Sequence, residues 1–163
     1  MKFEDFVAAQ GQPLLRLAYV LTSDAHHAED LTQTTLAKAH RNWRKVAAAS
    51  NPDAYVRRIL VNAHLDWCRR RSSTERPVEA IPEPRTWVPD PADEVSARDH
   101  MRGLLSQLAP RARAVLVLRY YADLNDEAIA DLMGITSSSV RATASRALAT
   151  LRAAEVVSIE ESR

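Results

Sequence analysis

An all-α chain made of two small helical domains joined by a proline-rich linker is the fold this sequence predicts, on three observations. Only three glycines and few β-branched runs stand among many Ala, Leu and Arg, a composition that favours helix. Apolar residues recur at helical spacing on both sides of the chain's middle. Between them, the stretch from Ser72 to Asp99 holds five of the eight prolines. Proline fixes φ and removes a backbone donor, so no long helix is expected to cross it. The 163 residues suffice for one ordinary domain or two small ones of about 60 to 80 residues each.

In the first unit, Leu14, Leu17, Ala18 and Leu21 fall at i, i+3, i+4 and i+7, one face of a helix. A second helix follows in "TSDAHHAEDLTQTTLAKAHRNW", with Ser23 or Asp24 as its cap and Glu29 and Asp30 in its early turns. The small-residue run "AAASNP" reads as a loop closed by Pro52, and a third long helix is expected from about Asp53 to Arg71. Val56, Leu60, Ala63 and Trp67 form its apolar stripe and leave Arg57, Arg58, Arg69, Arg70 and Arg71 largely outside. Part of the charge at its C-terminal end suits the negative end of the helix dipole. Within the linker, Ile81, Trp87 and Val88 are apolar enough to dock on a partner or to pack back on a domain.

The second unit begins near Ser96. Leu104, Leu105 and Leu108 mark one helix, ended by Ala109-Pro110. Pro110 can start the next, with Ala114, Val117, Leu118 and Tyr121 as its core face. Asn125 caps a short helix, Asp126–Met133; Gly134 makes a turn; Thr136 or Ser137 caps a last helix to about Ala153.

Charge is segregated, although the net value is only +1. Residues 38–71 carry nine Lys or Arg against two acids, and residues 72–99 carry three bases against seven acids. Residues 135–152 have three arginines and no acid. Two basic segments flanking an acidic one imply two polyanion-facing surfaces. The last two helices meet the demands of a helix-turn-helix. Ala130 permits close approach, Gly134 permits positive φ, and Ile129, Met133, Ile135 and Val140 form the apolar wedge. The outward face of the second helix is then Ser137, Ser138, Ser139, Arg141, Ser145 and Arg146, short hydroxyls and arginines suited to phosphates and base edges.

The segments "AEDLTQTTLAKAHRNW" (28–43) and "NPDAYVRRILVNAHLDWCRRR" (51–71) resemble the σ2 domain of extracytoplasmic-function (ECF) RNA polymerase sigma factors of the sigma-70 family. "LSQLAPRARAVLVLRYYADLNDEAIADLMGITSSSVRATASRALATLR" (105–152) resembles their σ4 domain. The order and the linker also match, and the chain is most similar to the actinobacterial SigE-family group. The resemblance implies a σ2-like domain over 1–71, an acidic linker over 72–99, a σ4-like domain over 100–153 and a short tail over 154–163. It implies a sigma factor that binds core RNA polymerase and directs promoter-specific initiation. Glu29, Asp30, Gln33, Thr34 and Lys38 would grip the clamp helices of the β′ subunit, with Thr34 standing where an acid is common. The loop from Val46 to Asp53, with Ser50 and Asn51, would capture a flipped base of the minus-ten element. Asn62 would lie near the point of strand separation, and Arg57, Arg58, Arg69, Arg70 and Arg71 would hold the backbone. Ser137, Ser138, Ser139, Arg141, Thr143, Ser145 and Arg146 would read the minus-thirty-five element, Thr143 standing where a base is frequent. The apolar helices before them would pack on the β flap, and an anti-sigma protein is a further partner that the family implies. Core packing is the expected use of Trp43 and Trp67, and the two units are expected to move relative to each other.

Other chemistry is not expected. Cys68 stands alone, which excludes an intramolecular disulfide and a cysteine-rich zinc site, though nearby arginines could lower its pKa. His26 and His27 point about 100° apart on a helix and cannot chelate together; His40, His64 and His100 are isolated. No cofactor, metal or catalytic constellation is expected, so the chain is read as no enzyme. The start "MKFEDFVAAQ" is no signal peptide and no apolar run approaches about 20 residues, so a cytoplasmic location without membrane insertion is expected. The alternative reading is an autonomous helix-turn-helix transcriptional regulator, which the basic helix near 51–71 disfavours.

Overall fold

The structure is a computed structural model that describes residues 1–74 and 93–161. Among them the chain is helical throughout, in the order α1 (Phe3–Thr22), α2 (Ala25–Arg41), α3 (Trp43–Ala48), α4 (Pro52–Thr74), α5 (Asp93–Ser106), α6 (Pro110–Leu116, continued by a π-helical turn, Val117–Tyr121), α7 (Asp126–Met133) and α8 (Ser137–Glu161). The apolar side chains Ile81, Trp87 and Val88 lie outside the described residues.

The predicted face of α1 is buried as Leu14, Leu17, Ala18 and Leu21, joined by Phe6. Ser23 ends the helix at φ 55°, its N–H reaching the Tyr19 carbonyl. That conformation leaves Asp24 as the cap of α2, its carboxylate accepting from the His27 N–H at 3.2 Å. On α2 the buried side is Ala28, Leu31, Thr32, Thr35 and Ala39. The two threonine hydroxyls donate to the carbonyls of Ala28 and Leu31 at 2.7 Å, which satisfies them without an outside partner.

The loop expected from Val46 to Asp53 is largely absent. Trp43 packs edge-on against Phe3 and near Phe6, its ring N–H donates to the Met1 carbonyl at 3.0 Å, and Val46 is fully buried. These tertiary contacts fold Trp43–Ala48 into α3 and leave residues 49–51 as the connection. Pro52 opens α4 instead of closing a loop, as its missing N–H allows at a first helical position. The linker is also shorter than expected, because α4 runs on through Thr74 and α5 starts at Asp93. The flanking residues without proline extend the helices, and Asp99 is held by Arg102 at 3.0 Å.

Along α4 the buried line is Val56, Leu60, Val61 and His64, with Ala63 half-buried. Trp67 does not join the core and is 37% exposed. It lies against the His27 ring at 3.9 Å, with the Arg71 guanidinium 5.0 Å from its ring centre. In the second unit, Ala114 through Leu118 are buried while Tyr121 is not. The π-helical turn, closed by Ala122 N–H to the Val117 carbonyl at 3.0 Å, adds a residue to the turn and rotates Tyr121 outward. The last helix continues past Ala153 to Glu161.

The two units are packed together. α4 lies against α6 and α7, and α1 lies against α6 and the π-helical turn. One cluster of buried apolar side chains runs from Phe6 to Ala147. The expected independence of the units is therefore not what the structure has: buried surface is shared between them, and sharing it removes apolar area from water.

Candidate nucleic-acid interface

The helix-turn-helix forms as its spacing predicts. Asn125 accepts from the Ala128 N–H at 2.8 Å and caps α7, with Asp126 and Glu127 in the first turn. Gly134 ends α7 at φ 68°, a conformation available at little cost to a residue without Cβ. Thr136 then caps α8, its hydroxyl accepting from the Ser139 N–H at 3.1 Å. Ile129 and Val140 are fully buried, Ala130 is buried, and Met133 and Ile135 are half-buried. Leu132, Ala144 and Ala147 complete the wedge, and the sequence pattern alone did not single them out. The acids of α7 stay on the supporting helix, where Asp126 pairs with Arg119 at 3.3 Å.

On α8, Ser138, Arg141, Ser145 and Arg146 are exposed, while Ser137, Ser139 and Thr143 are half-buried at the edge of the packed side. Ala142, also exposed, sits in the middle of this face. Its small side chain leaves the helix backbone free to approach a groove closely.

The basic residues of α4 divide between two faces. Residues 51, 58, 62 and 69 repeat at i+7, i+4 and i+7, and Asn51, Arg58, Asn62 and Arg69 are all exposed. They form one strip about 27 Å long at 1.5 Å per residue. Arg57 and Arg71 fall instead beside the line of Val61, His64 and Cys68. Arg57 is half-buried and lines a cleft of about 520 Å³ with Phe6, Arg16 and Tyr121. Arg70 is exposed, outside the strip, and Ser50 is exposed in the short connection before α4. Asn51 is partly committed, since its side chain accepts from the Ala54 N–H at 3.1 Å. Arg69 is paired with Asp66. Tyr55, 36% exposed, lies on the strip four residues after Asn51, an aromatic on this face that the sequence pattern did not single out.

Glu29, Asp30, Gln33, Thr34 and Lys38 are all exposed on α2, opposite the side buried by Leu31, Thr35 and Ala39. Spaced at i+4 along two rows, they make a continuous polar face about 14 Å long.

His64 looks isolated in the sequence, but the fold brings it against His27, with ring centres 5.5 Å apart, and places the Cys68 sulfur 3.7 Å from its Nε2. Burial, with smaller contributions from His27 and Arg113, pushes His64 down to about 4. Burial also pushes the Cys68 thiol up, outweighing Arg113 and Arg71, which corrects the expectation of an arginine-activated thiol. The unfolded His64 takes up its proton near 6.5 and the folded one only near 4. Between these values the unfolded state holds more protons, so stability is full above pH 6.5 and falls as pH drops toward 4. The difference amounts to about 3 kcal/mol at most. Comparing thermal midpoints at pH 7 and 4.5 checks this, because His64→Leu should lose much less stability than the wild type over that interval.

Comparison with known proteins gives these surfaces a setting. The family "Sigma-70 region 2" matches residues 6–74, and "Sigma-70, region 4" matches residues 104–153. The "RNA polymerase sigma-E factor" of Streptomyces coelicolor is 35% identical over 152 residues, covering 93% of this chain and 85% of that protein. The chain belongs to the sigma-70 family. The "ECF RNA polymerase sigma factor SigE" of Mycolicibacterium smegmatis is 32% identical, covering 92% of this chain and 60% of that protein. A solved structure, the sigma factor RpoE in complex with the anti-sigma factor NepR from Bartonella quintana, has the same fold with a TM-score of 0.75. Its identity is 24%, over 92% of this chain and 94% of that one. The two matched regions of this sigma factor contain the α2 face, the α4 strip and the α8 face. No described helix is long and apolar enough to cross a membrane.

Proposed function

We propose that this sigma factor docks on core RNA polymerase through the exposed α2 face of Glu29, Asp30, Gln33, Thr34 and Lys38, which meets the β′ clamp helices. The strip of α4, with Ser50 and Asn51 at its start and Asn62 at its centre, holds and opens the minus-ten element. Arg58 and Arg69 neutralise phosphates along it, with Arg57, Arg70 and Arg71 at its margins. Face α8, through Ser137, Ser138, Ser139, Arg141, Thr143, Ser145 and Arg146, reads the minus-thirty-five element in the major groove. The apolar helices before α7 meet the β flap. The protein acts in the cytoplasm by binding and positioning, without catalysis of its own. A protein of the anti-sigma class holds it inactive, a reading supported by the partner named for the Bartonella relative.

The observation that carries this reading is the separation of one polar docking face from two basic or hydroxyl-rich faces on three different helices. A regulator working alone has no need of the first. Run-off transcription with purified core polymerase tests it: the full chain should give promoter-specific transcripts that core alone does not. Asp30→Lys reverses a charge in the middle of the exposed face without touching the core. It is expected to weaken core binding at least tenfold while leaving the thermal midpoint within about 2 °C, since exposed substitutions move stability little. Undiminished competition for core by this variant contradicts the α2 assignment.

A further inference from the structure

The cleft of about 520 Å³ lies along α1, where the first turns of α4 and the end of the π-helical turn stand beside it. Phe6, Gln10, Leu14 and Leu17 follow at i, i+4, i+8 and i+11, so one face of α1 makes its floor. The three apolar members of that floor are held in the core, which fixes the shape of the cleft. Its size falls within the range of about 300 to 1,000 Å³ usual for small-ligand sites.

Two cations line this floor without being used by the fold. The side chain of Arg16 is exposed and makes no hydrogen bond, ion pair or stacking contact among the described residues. Arg57, half-buried, makes one contact: its Nε donates to the Asp53 carbonyl at 3.5 Å. Its terminal nitrogens have no partner among the described residues, and neither guanidinium forms an ion pair with the Asp53 carboxylate, which also lines the cleft. A guanidinium that gives up water without gaining an acceptor is costly, and an anion in the cleft removes that cost.

Tyr121 reaches the same cleft through an irregularity of the backbone. In a regular helix it would point inward in phase with Ala114, Val117 and Leu118; the extra residue of the π-helical turn rotates its ring out. Such turns interrupt the helix ladder and are frequent at functional sites. The exposed ring has no aromatic or cationic partner among the described residues, whereas the neighbouring Tyr120 has the Arg119 guanidinium 5.9 Å from its ring centre.

Unpaired guanidiniums beside an unstacked ring are complementary to one kind of molecule. Guanidiniums bind phosphate oxygens through charge-assisted hydrogen bonds, and a tyrosine ring stacks on a flat base. The Gln10 amide and the Asp53 carboxylate add acceptors for sugar hydroxyls. We propose that this cleft binds a free purine nucleotide, with its phosphates on Arg16 and Arg57 and its base on Tyr121. The volume suits a single nucleotide. Arg57 also falls off the strip of Asn51, Arg58, Asn62 and Arg69, so a DNA strand held along that strip does not run through the cleft.

Isothermal titration of the full chain with ADP and with GDP tests the site. One of the two should bind saturably with a single site per chain. Adenosine, guanosine and inorganic pyrophosphate should each bind at least about tenfold more weakly, because each offers only the base or only the phosphates. Arg16→Ala and Tyr121→Ala should each weaken nucleotide binding by about tenfold or more, and Tyr121→Phe by much less, since it keeps the ring. Arg44→Ala, an exposed change on α3 outside the cleft, should leave binding within about twofold. All four positions are exposed, so circular dichroism should report an unchanged fold. Absence of saturable binding by either nucleotide up to about 1 mM overturns the proposal. So does pyrophosphate binding as tightly as the nucleotide, or binding that survives both Arg16→Ala and Tyr121→Ala. A short single-stranded oligonucleotide that binds more tightly than either nucleotide, and loses that affinity in the same variants, assigns the cleft to a strand instead. None of these outcomes bears on run-off transcription, which reports on the sigma function by itself.

Discussion

Alanine at both Arg141 and Arg146 is expected to lower affinity for promoter DNA by roughly 30- to 1000-fold while core binding is unchanged. Both side chains are exposed on α8, away from the buried line of Val140, Ala144 and Ala147, so their removal opens no cavity. A well-made arginine contact to a base edge contributes about 1 to 3 kcal/mol of discrimination, and a phosphate contact contributes through counterion release. Two losses on one face overlap somewhat, which sets the range. The salt dependence distinguishes the two kinds of contact: each lost phosphate contact should reduce the slope of log affinity against log salt by about one. Electrophoretic mobility shifts at two salt concentrations, with gel filtration against core as the control, measure both quantities. Parallel loss of DNA and core binding contradicts the assignment of α8 to DNA.

Phe6→Ala should be the most destabilising single change in the first unit. The ring is 1% exposed and lies 5.4 Å from Trp43, in the corner that holds α3 against α1. Truncating a buried phenylalanine costs about 3 to 5 kcal/mol, from lost transfer energy and from the cavity left behind. Against a total stability on the order of 5 to 15 kcal/mol this is a large share. With about 2 to 4 °C per kcal/mol for a chain of this size, the thermal midpoint should fall by about 10 °C or more. Core binding should weaken near that lowered midpoint and recover on cooling, in contrast to Asp30→Lys, whose defect is independent of temperature in this way. A Phe6→Ala midpoint within about 3 °C of the wild type would mean that this corner collapses without cost.

Much of the fold is legible in the sequence because the signals are local. Leu14, Leu17, Ala18 and Leu21 are buried as their spacing requires, Asn125 and Thr136 cap as short polar residues do, and Gly134 takes positive φ. The exposure of Glu29, Asp30, Gln33, Thr34 and Lys38 follows from the same periodicity, since the opposite side of α2 is apolar or threonine. Less legible is α4, where Trp67 is larger and more apolar than His64 yet His64 takes the core position. Phase alone does not decide this, because Trp67 is in phase with the buried Val56 and Leu60; it lies a turn beyond His64 toward the end of α4, where its ring rests over His27 instead of in the core. Tyr121 departs for a different reason, because a π-helical turn breaks the 3.6-residue period on which its placement relied.

The sequence by itself determined the helical class, the helix-turn-helix and the outward side of α2, since each depends on spacing within a few turns. Tertiary structure alone decided that α3 folds where a loop was expected, that the arginines of α4 divide between two faces, and that the two units close on each other through Arg113 and Arg102. Those outcomes turn on contacts between residues up to 92 positions apart, such as Arg113 with Leu21. Periodicity fixes which side of a helix is buried; it carries no information about which other helix will cover it.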